Sequence, residues 1–190
     1  MKVGVLALQG GFAEHIAALN KLNVPYVEIR KKEDFDDTVE ALILPGGEST
    51  VIGKLLHQTG LFAPIQERIQ NGMPVWGTCA GLILLANRIS NEEHPYLKGI
   101  DITACRNAYG RQLGSFEAQE EFRGIGILPM TFIRAPFIES IGKGVTPLSF
   151  FNGKITAAEN DTILVTAYHP ELTDNTRILE YFLQKACKRI

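Results

Sequence analysis

Pro74-Val75-Trp76-Gly77-Thr78-Cys79-Ala80-Gly81 reads as a buried strand that ends in a sharp turn, and Leu82 to Ala86 lie in the helix expected after it. Two glycines bracket a cysteine at the junction, which is the G-x-nucleophile-x-G form of a nucleophile elbow. The glycines are needed because such a turn brings its backbone against neighbouring strands, where a Cβ would clash. A thiol held there sits at a helix N-terminus, whose partial positive charge favours thiolate. The amide N–H of Ala80 then points toward an oxyanion formed at an attacked carbonyl. The plain alternative for Cys79 is a small buried apolar residue, the usual fate of an unpaired cysteine.

Upstream of the elbow, short apolar runs alternate with helical patterns. Residues 2–8 read as a strand, followed by Phe12, Ile16, Leu19 and Leu22 at helical spacing. Tyr26 to Ile29 and Ala41 to Leu44 are further strands; helices are expected from near Ser49 and over Phe62 to Ile69. This rhythm implies a parallel sheet covered on both faces. From residue 100 the runs become shorter: 101–104, 132–133, 155–158 and 163–168, with Asn160-Asp161 suggesting a hairpin. Residues 176–188 place Ile178, Leu179, Phe182, Leu183 and Ala186 on one helical face. The expectation is a single α/β domain over 1–190, with a mixed, mostly parallel central sheet, helices on both faces and extra antiparallel strands.

Ligand sites in open α/β sheets collect at the carboxyl ends of strands. Besides the elbow, three unusual stretches fall there. Tyr168-His169-Pro170-Glu171 closes a strand; in extended chain His169 and Glu171 face the same side, so the imidazole takes a proton while the carboxylate orients the ring. Taken alone, the same tripeptide also fits a surface histidine beside a solvated glutamate. Leu44-Pro45-Gly46-Gly47-Glu48-Ser49-Thr50 allows backbone N–H groups to approach a ligand, with Ser49 capping the next helix. It reads equally as a phosphate-binding turn or a plain cap, although it lacks the lysine of a P-loop. Gln9-Gly10-Gly11 shares that ambiguity.

The chain has 190 residues and 45% apolar composition, enough for one sizeable core; 19 Lys+Arg against 21 Asp+Glu leave a formal net charge of -2. No basic stripe points to nucleic acid, and no apolar run approaches a membrane span or a secretory leader, so a cytoplasmic protein is expected. Cys79, Cys105 and Cys187 have no metal-site spacing, nor do His15, His57, His94 and His169, so neither metal nor tightly bound organic cofactor is implied. Cys105 and Cys187 read as packing residues.

Taken in order, these segments resemble the class I, triad-type glutamine amidotransferases. Within them, Leu8-Gln9-Gly10 with Glu14-His15, the 45–50 loop, the elbow, Arg106-Asn107-Ala108-Tyr109-Gly110-Arg111-Gln112 and Phe132-Ile133-Arg134-Ala135-Pro136 look like the glutaminase subunits of pyridoxal 5'-phosphate synthase. The last two segments are the specific ones. The resemblance implies the three-layer fold of that class and hydrolysis of L-glutamine. It makes Cys79 the nucleophile, His169 the base and acid, and Glu171 the orienting carboxylate, with Gly47, Glu48, Ser49, Arg106, Ile133 and Arg134 contacting glutamine. It further implies a partner, a (β/α)8-barrel synthase subunit in a large hetero-oligomer that uses the ammonia. Docking would act through the Gln9-Gly10 turn and complete an oxyanion hole with donors at Ala80 and Gly47. Gly11-Phe12 departs from the Ala-Val usual in such subunits; Phe12 is expected to pack as core. Competing readings are the amidotransferase subunit of another pathway, a catalytically silent scaffold on the same fold, and a thiol protease.

Overall fold

The structure, a computed structural model, describes residues 1–92, 96–106 and 114–188. The first part of the chain runs β1 (Val3–Leu6), α1 (Phe12–Lys21), β2 (Tyr26–Ile29), β3 (Ala41–Leu44), α2 (Ser49–Gln58), α3 (Phe62–Gln70), β4 (Val75–Thr78) and α4 (Ala80–Leu85). Then come β5 (Ala86–Ile89), β6 (Ile100–Cys105), β7 (Ser115–Phe122), β8 (Gly126–Ile133), β9 (Phe137–Ile141), β10 (Thr146–Phe151), β11 (Lys154–Glu159), β12 (Ile163–Thr166) and α5 (Arg177–Cys187). Single turns of 3-10 helix occupy Lys32–Asp34 and Pro170–Leu172.

The strands form one sheet in the order β2-β1-β3-β4-β12-β11-β10-β7-β8, with β5, β6 and β9 branching from β11. Strands β2, β1, β3, β4 and β12 are mutually parallel; all but the half-buried edge strand β2, which carries Glu28, are short and largely apolar because both of their faces are covered. Alternation sorts their side chains into two cores. Ala41 and Ile43 face one with Val3, Val5, Trp76 and Leu164. Leu42 and Leu44 face the other with Leu6, Val75, Ile163 and Val165. Helices α1 and α5 cover the first core through Leu19, Ile178, Leu179, Phe182 and Ala186, with Phe12, Ile16 and Leu22 packed at its margin. Helices α2, α3 and α4 cover the second through Ile52, Leu56, Ile65, Ile69 and Leu82 to Leu85. At six residues α4 is too short to persist alone. Each fully buried Leu or Ile contributes about 1.5–3 kcal/mol, so packing holds this helix in place.

The mixed sheet with helices on both faces agrees with the expectation, and so does the hairpin at 160. Asn160 Oδ1 accepts from the N–H groups of Thr162 at 3.0 Å and Ile163 at 2.7 Å, joining β11 to β12. Two details differ from the sequence reading. Ala86 leaves helix α4 and opens β5, because pairing with Ile100 of β6 captures it. The antiparallel part is also larger than the apolar runs suggested. Strand β7 carries Glu117, Gln119, Glu120 and Glu121, a composition poor in β-formers, yet it pairs with β8 along its whole length. Pro129 is tolerated in β8 because that strand forms an edge of the sheet.

Candidate active site

The order of strands explains why residues ninety positions apart meet. Strand β4 lies between β3 and β12, with Thr78 in register with Thr166 and Gly77 with Leu44. The residues that follow these three strands therefore emerge side by side at one carboxyl edge. They are Pro45 to Glu48, Cys79, and Ala167 to Glu171. The sheet order also reverses at β1, with β2 on one side and β3 on the other. Such a reversal opens a crevice between the loops that follow the two diverging connections. Here those loops are Gln9 to Gly11 and Gly46 to Glu48.

Cys79 takes φ 47° and ψ -97°, a left-handed conformation that an L-residue adopts only when its surroundings enforce it, at a cost of about 1–3 kcal/mol. The enforcing contacts are visible. Its N–H donates to the carbonyl of Thr166 at 2.8 Å. A Cβ on Gly77 would stand 2.5 Å from the Gly81 carbonyl carbon, and one on Gly81 would stand 2.1 Å from the Leu44 oxygen. Both bracketing glycines are thus required by close backbone approach. The thiol is 7% exposed and lies 3.9 Å from the Ile133 carbonyl. Ala80 opens α4, so its N–H is one of the first-turn donors without an acceptor in the helix.

His169 and Glu171 do meet, by a different route from the one alternation suggested. The chain is not extended there: Pro170 begins a 3-10 turn that carries Glu171 back under the imidazole. Nδ1 of His169 lies 2.8 Å from Oε1 of Glu171. That leaves Nε2 free on the side of the crevice that the ring shares with Cys79, and both side chains adjoin Gly46. Burial works against charge on the imidazole, but the neighbouring Cys79 and Glu171 outweigh it and push its pKa up to about 10. Burial likewise opposes charge on Glu171, yet His15 and His169 hold its pKa below the ordinary value. The arrangement favours an imidazolium between a carboxylate and a sulfur, ready to donate a proton.

A crevice of about 420 Å³ opens over this group. Its lining brings together Gln9, Gly10, Gly47, Glu48, Ser49, Arg106, Ile133, Arg134, Cys79, His169 and Glu171, all picked out from the sequence. The two loops at its floor interlock. Gly11 N–H donates to the Gly46 carbonyl at 3.0 Å, and Glu48 N–H to Oε1 of Gln9 at 2.8 Å. Gly10 has φ +99°, and a Cβ there would collide with the Gly46 oxygen. Gly46 in turn abuts His169, whose Cε1 would be 2.3 Å from an added Cβ.

Ser49 does not cap α2 with its side chain: Glu48 is the N-cap residue, and the Ser49 hydroxyl accepts instead from Arg106. The same guanidinium pairs with Glu92 and reaches the Tyr96 hydroxyl at 3.3 Å, which aims it along the crevice wall. Arg134 sits at φ +43° with its N–H donating to Gly114 at 2.7 Å, and its side chain is exposed at the rim. Residues 107–112 of the Arg-Asn-Ala-Tyr-Gly-Arg-Gln segment, and His94, lie outside the described residues. Phe12 packs at the edge of its core beneath Arg30, while Gly11 has φ -80°, which any residue adopts. Cys105 is half-buried, whereas Cys187 is exposed at the end of α5 and is no packing residue.

Two members of the site carried no role in the sequence reading. His15, on α1, places Nε2 3.5 Å from Oε1 of Glu171 and 3.2 Å from Oγ1 of Thr78. Thr78 itself donates to Oε1 of Glu171 at 3.4 Å. The signals available were the position of Thr78 next to the nucleophile and a histidine on an otherwise apolar helix face.

A doubly covered α/β sheet with a cysteine elbow beside a buried His–Glu pair is the arrangement of a class I glutamine amidotransferase. The chain belongs to the SNO glutamine amidotransferase family, which matches residues 5–188. It is 51% identical over 191 residues to the pyridoxal 5'-phosphate synthase subunit PdxT of Streptococcus pneumoniae serotype 2 (strain D39 / NCTC 7466), covering 99% of this chain and 98% of that one. A crystal structure of a glutamine amidotransferase superposes with a TM-score of 0.92 at 42% identity, over 97% of this chain and 98% of the other. A putative GMP synthase protein from Thermoplasma acidophilum shares the fold alone, with a TM-score of 0.69 at 16% identity over 100% of this chain and 95% of its own.

Proposed function

We propose that this chain is the glutaminase subunit of a pyridoxal 5'-phosphate synthase, hydrolysing L-glutamine to L-glutamate and ammonia. The observation that carries the reading is the alignment of Cys79, His169 and Glu171 at adjacent strand ends, with the His169–Glu171 contact at 2.8 Å, at the base of an open crevice. The thiolate of Cys79 attacks the side-chain amide carbon, and the developing oxyanion takes the N–H of Ala80. His169 passes its proton to the departing ammonia, leaving a γ-glutamyl thioester. Water, deprotonated by His169, then releases glutamate. Glu171 keeps the imidazole oriented throughout.

Gly47, Glu48, Ser49 and Ile133 shape the crevice for the amino acid, and Arg106 and Arg134 supply the cations that a free α-carboxylate needs. The ammonia is handed to a (β/α)8-barrel synthase subunit in a large cytoplasmic hetero-oligomer. No helix among the described residues is long and apolar enough to cross a membrane. The interlock of Gln9 and Gly10 with Gly46 to Glu48 gives docking a means of control, since a partner that shifts the first turn also shifts the backbone expected to complete the oxyanion hole. Losing one such donor typically costs about 100- to 1,000-fold in rate. The test is ammonia release with and without the barrel partner, run beside Cys79→Ala. Stimulation of the wild type and silence of the variant are expected; ammonia from Cys79→Ala at the wild-type rate would overturn the assignment.

A further inference from the structure

We propose that His15 and Thr78 are positioning residues for the triad, extending it inward as a relay from helix α1 to the carboxylate of Glu171. The inference rests on the glutaminase reading above and deepens it. Alternation along β4 puts Trp76 and Thr78 on the face covered by α1, and His15 is the α1 side chain that drops onto both. His15 and Thr78 are 1% and 0% exposed, and Glu171 is buried with them. Three polar groups from three separate elements thus share a pocket closed to bulk water, an expensive arrangement unless they satisfy one another.

They do so in part, on one atom, with Nδ1 of His15 and Oε2 of Glu171 left without a hydrogen-bond partner among the described residues. Oε1 of Glu171 receives the Thr78 hydroxyl at 3.4 Å and faces Nε2 of His15 at 3.5 Å, while Nδ1 of His169 approaches it at 2.8 Å. His15 Nε2 also lies 3.2 Å from the Thr78 hydroxyl, so a proton on Nε2 points at Thr78, whose own proton points at the carboxylate. The edge of the Trp76 ring stands against His15 at 5.3 Å and 84°, and Trp76 is itself tied by Nε1 to the Thr166 hydroxyl at 3.3 Å. The imidazole is therefore held in one orientation. Burial lowers the pKa of His15, and the charge on His169 adds to that effect against the attraction of Glu171, which keeps His15 a neutral donor. The relay holds the same oxygen that His169 touches, Oε1, while Oε2 has no hydrogen-bond partner among the described residues. Without it the carboxylate could rotate away from the ring it must orient.

The test uses the chain with its barrel partner and reads kcat and KM for glutamine in His15→Leu, His15→Gln and Thr78→Val. Gln places an amide N–H where Nε2 stands, whereas Leu fills the space without a donor. We expect kcat to fall about tenfold in His15→Leu and somewhat less in Thr78→Val, with KM within about twofold, the usual scale for a lost hydrogen bond to a charged group. His15→Gln should recover most of that loss. A His15→Leu variant at the wild-type kcat, or a His15→Gln variant as slow as His15→Leu, would reduce His15 to a packing residue. Alkylation of Cys79 by iodoacetamide, followed by mass spectrometry, reads the triad without glutamine or partner, and should slow in the same order. It decides the relay even where His15→Leu folds poorly, through Thr78→Val and His15→Gln. Ammonia release that survives Cys79→Ala would instead strike the glutaminase reading and leave the alkylation result standing.

Discussion

The five parallel strands and the antiparallel extension are built to different rules. In the first, β1, β3, β4 and β12 are buried on both faces, and the groups proposed for bond-making emerge from their carboxyl ends. In the second, β7 alternates exposed and half-buried residues, β8 ends at the exposed Ile133, and Phe150 and Ile127 lie open on the surface. That region contributes the crevice rim through Arg106, Ile133 and Arg134. The two regions divide the labour. A backbone strained into φ 47° at Cys79 needs close packing on every side to persist, whereas residues that grip a substrate need only a well-aimed ledge.

This division is tested most forcefully at the carboxyl edge. Glu171→Gln should fold normally and lose turnover by about 10,000-fold, on the scale seen when the orienting carboxylate of a triad is removed. Near wild-type ammonia release from that variant would return Glu171 to a purely structural role. Gly81→Ala should come next. Its Cβ would meet the Leu44 oxygen at 2.1 Å, and a cost of about 3 kcal/mol in chemical denaturation is expected from such a backbone clash. An unchanged midpoint would mean that the elbow can relax.

Smaller effects belong to the rim. Arg134→Ala should raise KM for glutamine by about tenfold with kcat preserved, the signature of lost uniform binding. A fall in kcat at constant KM would instead draw Arg134 into the chemistry. A separate test concerns pH. Because His169 titrates near 10 in the folded chain against an ordinary 6.5, the stability it contributes is fully present below about 6.5 and is lost as pH rises through about 10. The difference in unfolding free energy between wild type and His169→Gln should therefore narrow between pH 6 and pH 10.5. A constant gap would show that Cys79 and Glu171 do not hold the imidazolium.

What could be read from the chain alone depended on how local each cause is. The parallel strands declared themselves because each is a short, mainly apolar run, and the elbow did so through Gly77 and Gly81. The pairing of His169 with Glu171 was readable from their spacing, though the turn that achieves it was not: a proline-led 3-10 turn brings them together where an extended strand was expected. Strands β7, β9 and β10 carry no comparable pattern. Their glutamates, prolines and short runs become strands only by pairing with distant partners, such as Ser149 of β10 with Phe122 of β7.

Which residues have the chemistry was a matter of sequence: a cysteine between glycines, a His-Pro-Glu, a Pro-Gly-Gly loop and the face each helix must bury. Those properties reside in side-chain type and in spacings of a few residues, which the chain carries wherever it goes. Tertiary folding alone set β4 between β3 and β12, interlocked the loops after β1 and β3, and brought His15 from α1 to Glu171. Such contacts span tens to more than a hundred positions. They arise from burying both faces of one twisted sheet at once, a condition that no short stretch of sequence records.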